Sequence, residues 1–597
     1  MAVPQWEGIM NDMFRNLTMV LAGGLCLGGC ALPTDPPAAE TFGAALDSVQ
    51  HVNAGPGDKP KDSEPAKKDK EAAEDANIEK RIRAMAHYAA GVAHRERGEL
   101  KEATEEFYQA ALADPSDKKV VTEVIQMLLV TRQQAKIFQL LVQATKDPNA
   151  TAELHALLAA AYLERKKPDM AKLAAENAIR RDPKAIEGYK SLVQAQRALH
   201  KEAGKRKKAI RSTIDRALKQ TKTSVPFQVD LAMMLLGYLD LDKDADKELK
   251  PKATKLLESA WDSKPKEPLV LERIARGFRL AGAHDKAALA MEALLDKLPN
   301  NPAVLLEAAR GQALAGKLDK AKLHLNALVK KFPRYWQGHQ LLAAVAMDQE
   351  EYKDAVKHYR AAIKLNPRLE QMHYDLVSAL LSSEQVDEAA AELKKIAARF
   401  KVSFQQLYFA AMIHLQKDEF AEAHEDLLKT LEFAEKNSPE RVTHFLQFQL
   451  GSTAERAGNF KAAEKYMRKA IAMKPDYATA LNYLGYMWAD RNENLDEAEK
   501  FIARALKEQP DNAAFLDSMA WVHFRRGNAK EALRWQEKAL KNSKEDDAEL
   551  LMHLGEIHAA LKNTKKAREF LEKAAKVEDA REEILEKIKA KLKALDK

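Results

Sequence analysis

Residues 447–475 read QFQLGSTAERAGNFKAAEKYMRKAIAMKP, and this stretch carries the pattern that decides the fold. Small residues stand at fixed places in it, with Ala463 twelve positions and Ala470 five positions before Pro475. A proline closes a helix because it has no amide hydrogen to continue the ladder of backbone hydrogen bonds. Gly458 lies between two apolar segments and accepts the left-handed conformation that ends a helix. The stretch therefore predicts two closely packed helices joined by a turn at Gly458.

The same pattern returns along the chain. Its prolines, separated by 33 to 35 residues within each run of consecutive copies, are Pro115, Pro148, Pro183, Pro265, Pro299, Pro333, Pro367, Pro475 and Pro510. An alanine stands twelve residues before eight of these nine prolines. A period near 34 residues with small residues at fixed places is the signature of stacked helix pairs.

Residues 447–475 and 481–510 resemble the tetratricopeptide-repeat (TPR) consensus at nearly every defining position. The resemblance implies an all-α fold, a TPR α-solenoid in which antiparallel helix pairs form a superhelix. We expect about fourteen repeats over residues 80–578, some of them degenerate. Residues 579–597 predict an amphipathic C-terminal capping helix, since the last repeat of a solenoid must shield its outer apolar face.

The composition agrees with a helical array. The 597 residues would suggest about four globular domains from length alone, but internal repetition overrides that expectation. Only 23 glycines and 22 prolines occur, and charged residues make up 31% of the chain, which favours long helices. The two cysteines, Cys26 and Cys30, both precede the repeats, so disulfides, thiolate metal sites and a cysteine nucleophile are excluded from the array.

The N-terminus predicts an export signal. An apolar run of about a dozen residues follows Arg15, which fits a signal peptide over residues 1–29 and is too short to span a membrane. Its ending, Leu-Gly-Gly-Cys at 27–30, resembles the lipobox of bacterial lipoproteins. The resemblance implies a lipidated Cys30 as the mature N-terminus, and Ala31 after it implies sorting to the outer membrane, facing the periplasm. The alternative is a buried apolar helix with an accidental cysteine.

Two further features belong to this region. Residues 30–79 mix Pro, Lys, Glu and Ala with few large apolar residues, so we predict a disordered tether behind the lipidated cysteine. Glu7 and Asp12 fit badly in the positive region of a signal, which suggests that translation starts at Met10 or Met13.

The repeats carry no motif of catalysis. No H-E-x-x-H, G-x-S-x-G, Walker loop or strand-linked G-x-G-x-x-G occurs, and the 16 histidines are scattered. We therefore predict no catalytic residues, no metal ligands and no cofactor. Aspartates alternate at 240, 242, 244 and 246, but a calcium loop counted from Asp240 would need Gly and Glu where Ala245 and Pro251 stand. A turn with solvated charges is the simpler interpretation, and calcium binding is the alternative.

The resemblance also implies a binding groove. In TPR proteins, positions two, five, nine and twelve of each first helix face inward, and in the best repeats these positions predict a partner-binding groove of Phe445, Phe448, Asn482, Tyr486, Asp517, Trp521 and Phe524. Aromatic rings supply contact area at low entropic cost, and polar groups fix the register of a bound peptide or helix. The alternative for Trp521 is packing beneath a neighbouring helix.

These features predict a non-catalytic protein–protein interaction scaffold or adaptor on the bacterial outer membrane. The resemblance to bacterial TPR lipoproteins implies a role in envelope assembly, recruitment of cell-wall enzymes, or assembly of pili or secretion systems. Its partners would be proteins, and the membrane through Cys30, but not nucleic acid. The alternatives are a TPR subunit of a glycan- or peptidoglycan-processing enzyme complex, and a cytoplasmic TPR scaffold whose N-terminus resembles a signal by accident.

Overall fold

A computed structural model describes residues 67–239, 246–543, 545–577, 580 and 582–596. The predicted signal peptide, the lipidation site Cys30 and most of the predicted tether lie outside these residues. The same holds for Asp240, Asp242 and Asp244 of the candidate calcium loop.

The described residues form 29 α-helices and one short 3₁₀ helix, Pro439–Arg441, with no β-strand among them. The first fourteen helices are α1 Lys67–Glu96, α2 Leu100–Ala113, α3 Lys118–Val130, α4 Gln134–Ala144, α5 Ala152–Glu164, α6 Pro168–Arg181, α7 Ile186–Leu199, α8 Ala203–Leu218, α9 Val225–Leu239, α10 Asp246–Asp262, α11 Pro268–Leu280, α12 His284–Lys297, α13 Pro302–Leu314 and α14 Leu318–Lys331. The remaining helices are α15 Trp336–Asp348, α16 Tyr352–Leu365, α17 Glu370–Ser382, α18 Val386–Arg399, α19 Phe404–Gln416, α20 Phe420–Asn437, α21 His444–Arg456, α22 Phe460–Met473, α23 Ala478–Asp490, α24 Leu495–Glu508, α25 Ala513–Arg525, α26 Ala529–Asn542, α27 Ala548–Ala560, α28 Thr564–Ala574 and α29 Glu582–Leu595.

Among the described residues, short turns join the two helices of a hairpin, and a residue with positive φ stands in most of these turns. After α21, Gly458 has a φ of 79°, its amide donates to Glu455, and the next amide, that of Asn459, donates to Ala454. Four other hairpins use glycine in the same way, at Gly98, Gly282, Gly316 and Gly527. Seven hairpins place a larger residue there, at Arg132, Lys166, Glu350, Glu384, Asp418, Asn492 and Lys562. Glycine therefore marks only some of the turns.

Small residues occur where the two helices of a hairpin approach most closely. A Cβ on Gly485 in α23 would lie 2.7 Å from Cγ1 of Ile502 and 3.0 Å from the backbone oxygen of Ala498 in α24. Gly451 and Gly555 meet the second helices of their own hairpins at similar distances. The alanines of the repeat pattern are accordingly buried in full, as at Ala463 and Ala498.

The described residues form two compact units. The first ends at His324 and the second begins at Leu325, so the boundary between them lies within α14. In the first unit, a continuous apolar cluster extends from Ala103 to Ala308. In the second unit, α29 packs on α27 and α28. Ile584 and Ile588 of α29 are buried there with Leu571, so α29 covers the last hairpin as a capping helix.

The predicted tether differs from the structure at its C-terminal end. Helix α1 begins at Lys67, so residues 67–79, assigned above to the tether, are helical. The physical reason is local, because Pro65 is the last proline of the segment and the residues after it are mainly Lys, Glu and Ala, which are good helix formers. No described helix is long and apolar enough to cross a membrane.

Candidate functional site

A pocket of ≈ 390 Å³ lies in the second unit, between the first helices of successive hairpins and the capping helix. We call it the Trp521 pocket. It is lined by Glu455, Phe460, Tyr486, Met487, Asp490, Arg491, Trp521, Arg525, Glu549, Met552, His553, Glu556, Lys587 and Lys591. These residues come from α21, α22, α23, α25, α27 and α29, and Arg491 immediately follows α23. The repeat therefore brings equivalent faces of several helices to one site.

Stacked rings form one wall of the pocket. The Trp521 ring lies 4.0 Å from the ring of His553 and 4.9 Å from that of Phe524, both within 19° of parallel. Trp521 is only 5% exposed, and its indole Nε1 is buried without a hydrogen-bond partner among the described residues. An unmade hydrogen bond on a buried donor costs about 1–3 kcal/mol. Trp521 thus has an aromatic ring that lines the pocket and an N–H donor for which no described residue provides an acceptor.

A buried ion pair holds this wall in place. His553 Nδ1 lies 2.9 Å and 3.1 Å from the two carboxylate oxygens of Asp517, and Gln536 Nε2 donates to the same carboxylate at 2.6 Å. Burial by itself would lower the pKa of His553, but the adjacent Asp517 carboxylate raises it to about 9. The imidazole is therefore a cation at neutral pH, stacked beneath Trp521.

Carboxylates also line the pocket, and we call Glu455, Asp490 and Glu549 together its acidic side. Tyr483 donates to Glu455 at 3.0 Å, and Tyr486 donates to Glu549 at 3.0 Å, which orients both carboxylates. Burial raises the pKa of Glu455, and nearby Asp490 adds to the increase. The acidic side thus combines residues of α21, α23 and α27.

Basic side chains also line the pocket. Arg491 pairs with Glu493 at 2.7 Å and stacks over the ring of Phe460 at 3.9 Å. Lys591 of the capping helix pairs with Glu556 at 2.6 Å. Lys587, one turn earlier on the same helix, also lines the pocket. The capping helix therefore contributes to the site as well as to the core.

The structure separates the seven predicted groove residues into two groups. Tyr486 and Trp521 line the pocket, and Phe524 stacks on Trp521 at its edge. The other four, Phe445, Phe448, Asn482 and Asp517, do not line the pocket. Whether any of the seven binds a partner stays a prediction.

Burial explains why the second group does not line the Trp521 pocket. Phe448 is fully buried against Tyr477 and Tyr483, because neighbouring hairpins cover α21 on several sides. Asn482 and Asp517 are buried as well, and Asp517 is occupied by His553. Phe445 is half-buried against the apolar cluster around α19.

Sequence analysis missed several lining residues. Glu455 is the twelfth residue of α21, an inward position that was not included among the predicted groove residues, and Asp490, the last residue of α23, lies just outside the four positions. His553 and Glu549 belong to the last repeat, whose positions were not read for the groove. Extending the same inward positions to α27 gives Glu549, Met552 and Glu556, but not His553, which is the sixth residue of that helix. Lys587 and Lys591 were assigned only to the cap, and no sequence signal places them in a pocket.

No site for a metal ion emerges. Within the described part of the chain, no three His, Cys, Asp or Glu side chains are grouped so that they could hold one.

Helical hairpins repeated at this period define an α-solenoid. Profiles described as "Tetratricopeptide repeat" match residues 66–118, 306–370, 448–513 and 518–582, and a second profile of the same description matches residues 346–413. These segments are therefore tetratricopeptide repeats, and the fold is the all-α TPR solenoid expected from the sequence.

Two solved structures are similar to this chain at low identity. "Crystal structure of APC/C hetero-tetramer Cut9-Hcn1" is 14% identical, with 74% of this chain and 96% of that chain covered and a TM-score of 0.35. "Crystal structure of YrrB: a TPR protein with an unusual peptide-binding site" is 20% identical, with 35% of this chain and 100% of that chain covered and a TM-score of 0.28. No curated protein sequence matches the chain.

Proposed function

We propose that the chain is a non-catalytic scaffold that binds a peptide or helix of a partner protein in the Trp521 pocket. One observation carries the proposal, namely a buried indole N–H without a partner among the described residues, in a pocket lined by the first helices of successive repeats. Proteins built from TPR repeats generally act as interaction scaffolds rather than as catalysts.

The chemistry of the pocket suits a peptide. The rings of Trp521 and Tyr486 offer apolar contact area with little rotamer entropy to lose, as binding hot spots do. A peptide carbonyl would accept from the Trp521 indole N–H, and charged groups on both sides would fix the register. An extended or helical segment carries such carbonyls or polar side chains at regular intervals.

We further propose that the scaffold is anchored to the bacterial outer membrane by a lipid on Cys30 and faces the periplasm. The lipobox-like sequence that ends at Cys30 supports this proposal, and envelope assembly, recruitment of cell-wall enzymes, or pilus or secretion assembly would be the setting. The lipid would keep the pocket at the membrane where such partners are assembled.

Replacing Trp521 tests the binding proposal. The full chain and its Trp521→Ala variant are applied to an array of twelve-residue peptides of random sequence, each acetylated and amidated at its ends. We expect the variant to lose at least about tenfold in affinity, because truncation of a buried aromatic hot spot typically costs about 2 kcal/mol or more.

Two controls accompany this experiment. Trp535→Ala removes a half-buried tryptophan of α26 that does not line the pocket, so peptide binding should be unchanged. Ala463→Trp places a large ring at a fully buried alanine and should disrupt packing around α22. Equal losses of binding with Trp521→Ala and Trp535→Ala would contradict a role for the pocket.

A further inference from the structure

The acidic side of the Trp521 pocket and the indole N–H of Trp521 point to one kind of ligand group. We infer that the pocket takes a lysine or arginine side chain of the partner, with its cation between Glu455 and Asp490 and an adjacent peptide carbonyl on Trp521 Nε1. The inference rests on the proposed function and adds to it the chemistry that the partner must carry.

The first step concerns the two carboxylates. Glu455 is 6% exposed, and its hydrogen bond from the described residues comes from the neutral hydroxyl of Tyr483. Asp490 is half-buried and has no carboxylate hydrogen bond or contact ion pair with a described residue, although the neighbouring Arg491 acts on it electrostatically. Both line the pocket, on neighbouring first helices. A buried carboxylate is stabilised by a cation in direct contact with it, and no described residue forms such an ion pair with either of these two.

The second step concerns the basic groups of the same pocket. Arg491 pairs with Glu493, Lys587 with Glu583 at 3.1 Å, and Lys591 with Glu556. The cation of His553 is likewise matched by Asp517. Among the described residues, Arg525 is the lining cation without a carboxylate partner, and its guanidinium lies 6.0 Å from the centroid of the Trp521 ring. Arg491 acts electrostatically on Glu455 and Asp490 as well as on its partner Glu493, so its single positive charge faces three carboxylates. Arg456 also acts on Glu455 but is paired with Asp418 at 3.6 Å. The charge around Glu455 and Asp490 is therefore negative, so a cation is the favoured ligand group.

The third step concerns Trp521. Its buried Nε1 needs an acceptor, and the acceptor must tolerate Glu455 and Asp490 nearby. A neutral peptide carbonyl meets both conditions, whereas a carboxylate would be repelled by the acidic side. The rings of Trp521 and Tyr486 add to the attraction, since a cation is stabilised over an aromatic face. A basic residue in a peptide provides the carbonyl and the cation together.

Neutral replacements of similar shape test this inference. The double variant Glu455→Gln with Asp490→Asn removes the two charges, while the amide oxygen of the new glutamine can still accept from the Tyr483 hydroxyl. Applied to the capped peptide array, the native chain should select peptides that contain lysine or arginine. The double variant should bind the selected peptides at least about tenfold more weakly, because a desolvated charge pair is lost.

Matched controls separate charge from folding. Glu508→Gln with Asp511→Asn makes the same change of net charge at two exposed positions away from the pocket, and its binding should equal that of the native chain. Exchanging the basic residue of a selected peptide for norleucine should weaken binding to the native chain and have little effect on binding to the double variant. Trp521→Phe removes the N–H donor together with part of the stacking ring and should weaken binding while the preference for basic peptides remains.

Each contrary result has a distinct meaning. Selection of acidic peptides, or of peptides without charge preference, would overturn the inference while the proposed function stands if Trp521→Ala still abolishes binding. Equal affinity of the native chain and the double variant for the selected peptides would also overturn it. Binding that Trp521→Ala leaves unchanged, or no binding to any peptide, would overturn the proposed function and the inference together.

Discussion

His553 and Asp517 form a charged pair inside the second unit, where both side chains are almost completely buried. Because Asp517 raises the pKa of His553 to about 9 from its usual value of 6.5, the folded protein holds a proton that the unfolded chain releases. The pair therefore contributes its full stability below pH 6.5, and this contribution is lost as the pH rises through about 9.

Asp517→Asn should reveal this contribution. The variant leaves His553 without its carboxylate, and breaking a buried pair costs about 3–5 kcal/mol of unfolding free energy. The loss should be largest at about pH 6 and smaller at about pH 10, where the native imidazole is also neutral. Urea unfolding of both chains at the two pH values measures it, with exposed Asp511→Asn as the control. An equal loss at both pH values would contradict an ionic role.

Position along the helix indicated some of the residues that line the Trp521 pocket and did not indicate others. It selected Tyr486 and Trp521 because the helical period of about 3.6 residues determines which side of α23 and α25 they occupy. It could not foresee that Asp517 would be buried, since its partner His553 lies 36 residues away in the next repeat. Contacts between repeats depend on stacking, which a single helix pattern does not encode.

At the scale of elements, the contact between α23 and α24 depends on Gly485. The methyl group of an alanine there would meet Ile502 and the backbone of Ala498, which cannot move without shifting α24. We expect Gly485→Ala to destabilise the fold by about 1–3 kcal/mol despite the better helix propensity of alanine. Thermal unfolding followed by circular dichroism measures the change.

A glycine in an open helical position supplies the matched control. Gly237 lies in α9, and a Cβ there would meet nothing within 4 Å. Gly237→Ala should therefore stabilise its helix by up to about 1 kcal/mol. The two variants should change the melting temperature in opposite directions, and a rise for both would show that α23 and α24 can separate without cost.

The element pattern was predictable where it depends on local chemistry. Closing prolines and small residues indicated the helix pairs correctly, because these residues act within one or two turns of helix. The start of α1 at Lys67 was missed because the composition of the whole segment outweighed the helix-forming residues after Pro65. Turns such as that at Lys562 carry no glycine, so no residue type signals their positive φ.

At the scale of the whole molecule, the fold class was the most predictable property, because the same pattern of small residues and closing prolines recurs in many repeats. Repeats that depart from the consensus are stabilised by contacts with neighbouring repeats, since every hairpin packs mainly against the adjacent hairpins. The proposed position of the protein in the cell rests instead on a few residues near the N-terminus, where no repeated pattern adds support.

Cys30→Ser tests the proposed anchor. The native chain should fractionate with the outer membrane of a Gram-negative cell, because each buried CH₂ of an attached lipid contributes about 0.8 kcal/mol to membrane binding. The serine variant should appear in the soluble fraction or remain as an unprocessed precursor. Cys26→Ser, within the predicted signal, should behave as the native chain. Membrane association of Cys30→Ser with the native apparent mass would rule out lipidation at this position.

The non-glycine turns have a practical consequence for labelling. Lys562 is exposed and has a positive φ although it carries a side chain. Its replacement by cysteine should therefore add little backbone strain. The repeats themselves contain no thiol, and the two natural cysteines precede residue 31. In a chain that carries Cys26→Ser and Cys30→Ser, Lys562→Cys would accept a single fluorophore at the end of α27, the helix that bears His553. Such a reporter would let peptide binding be followed optically in solution.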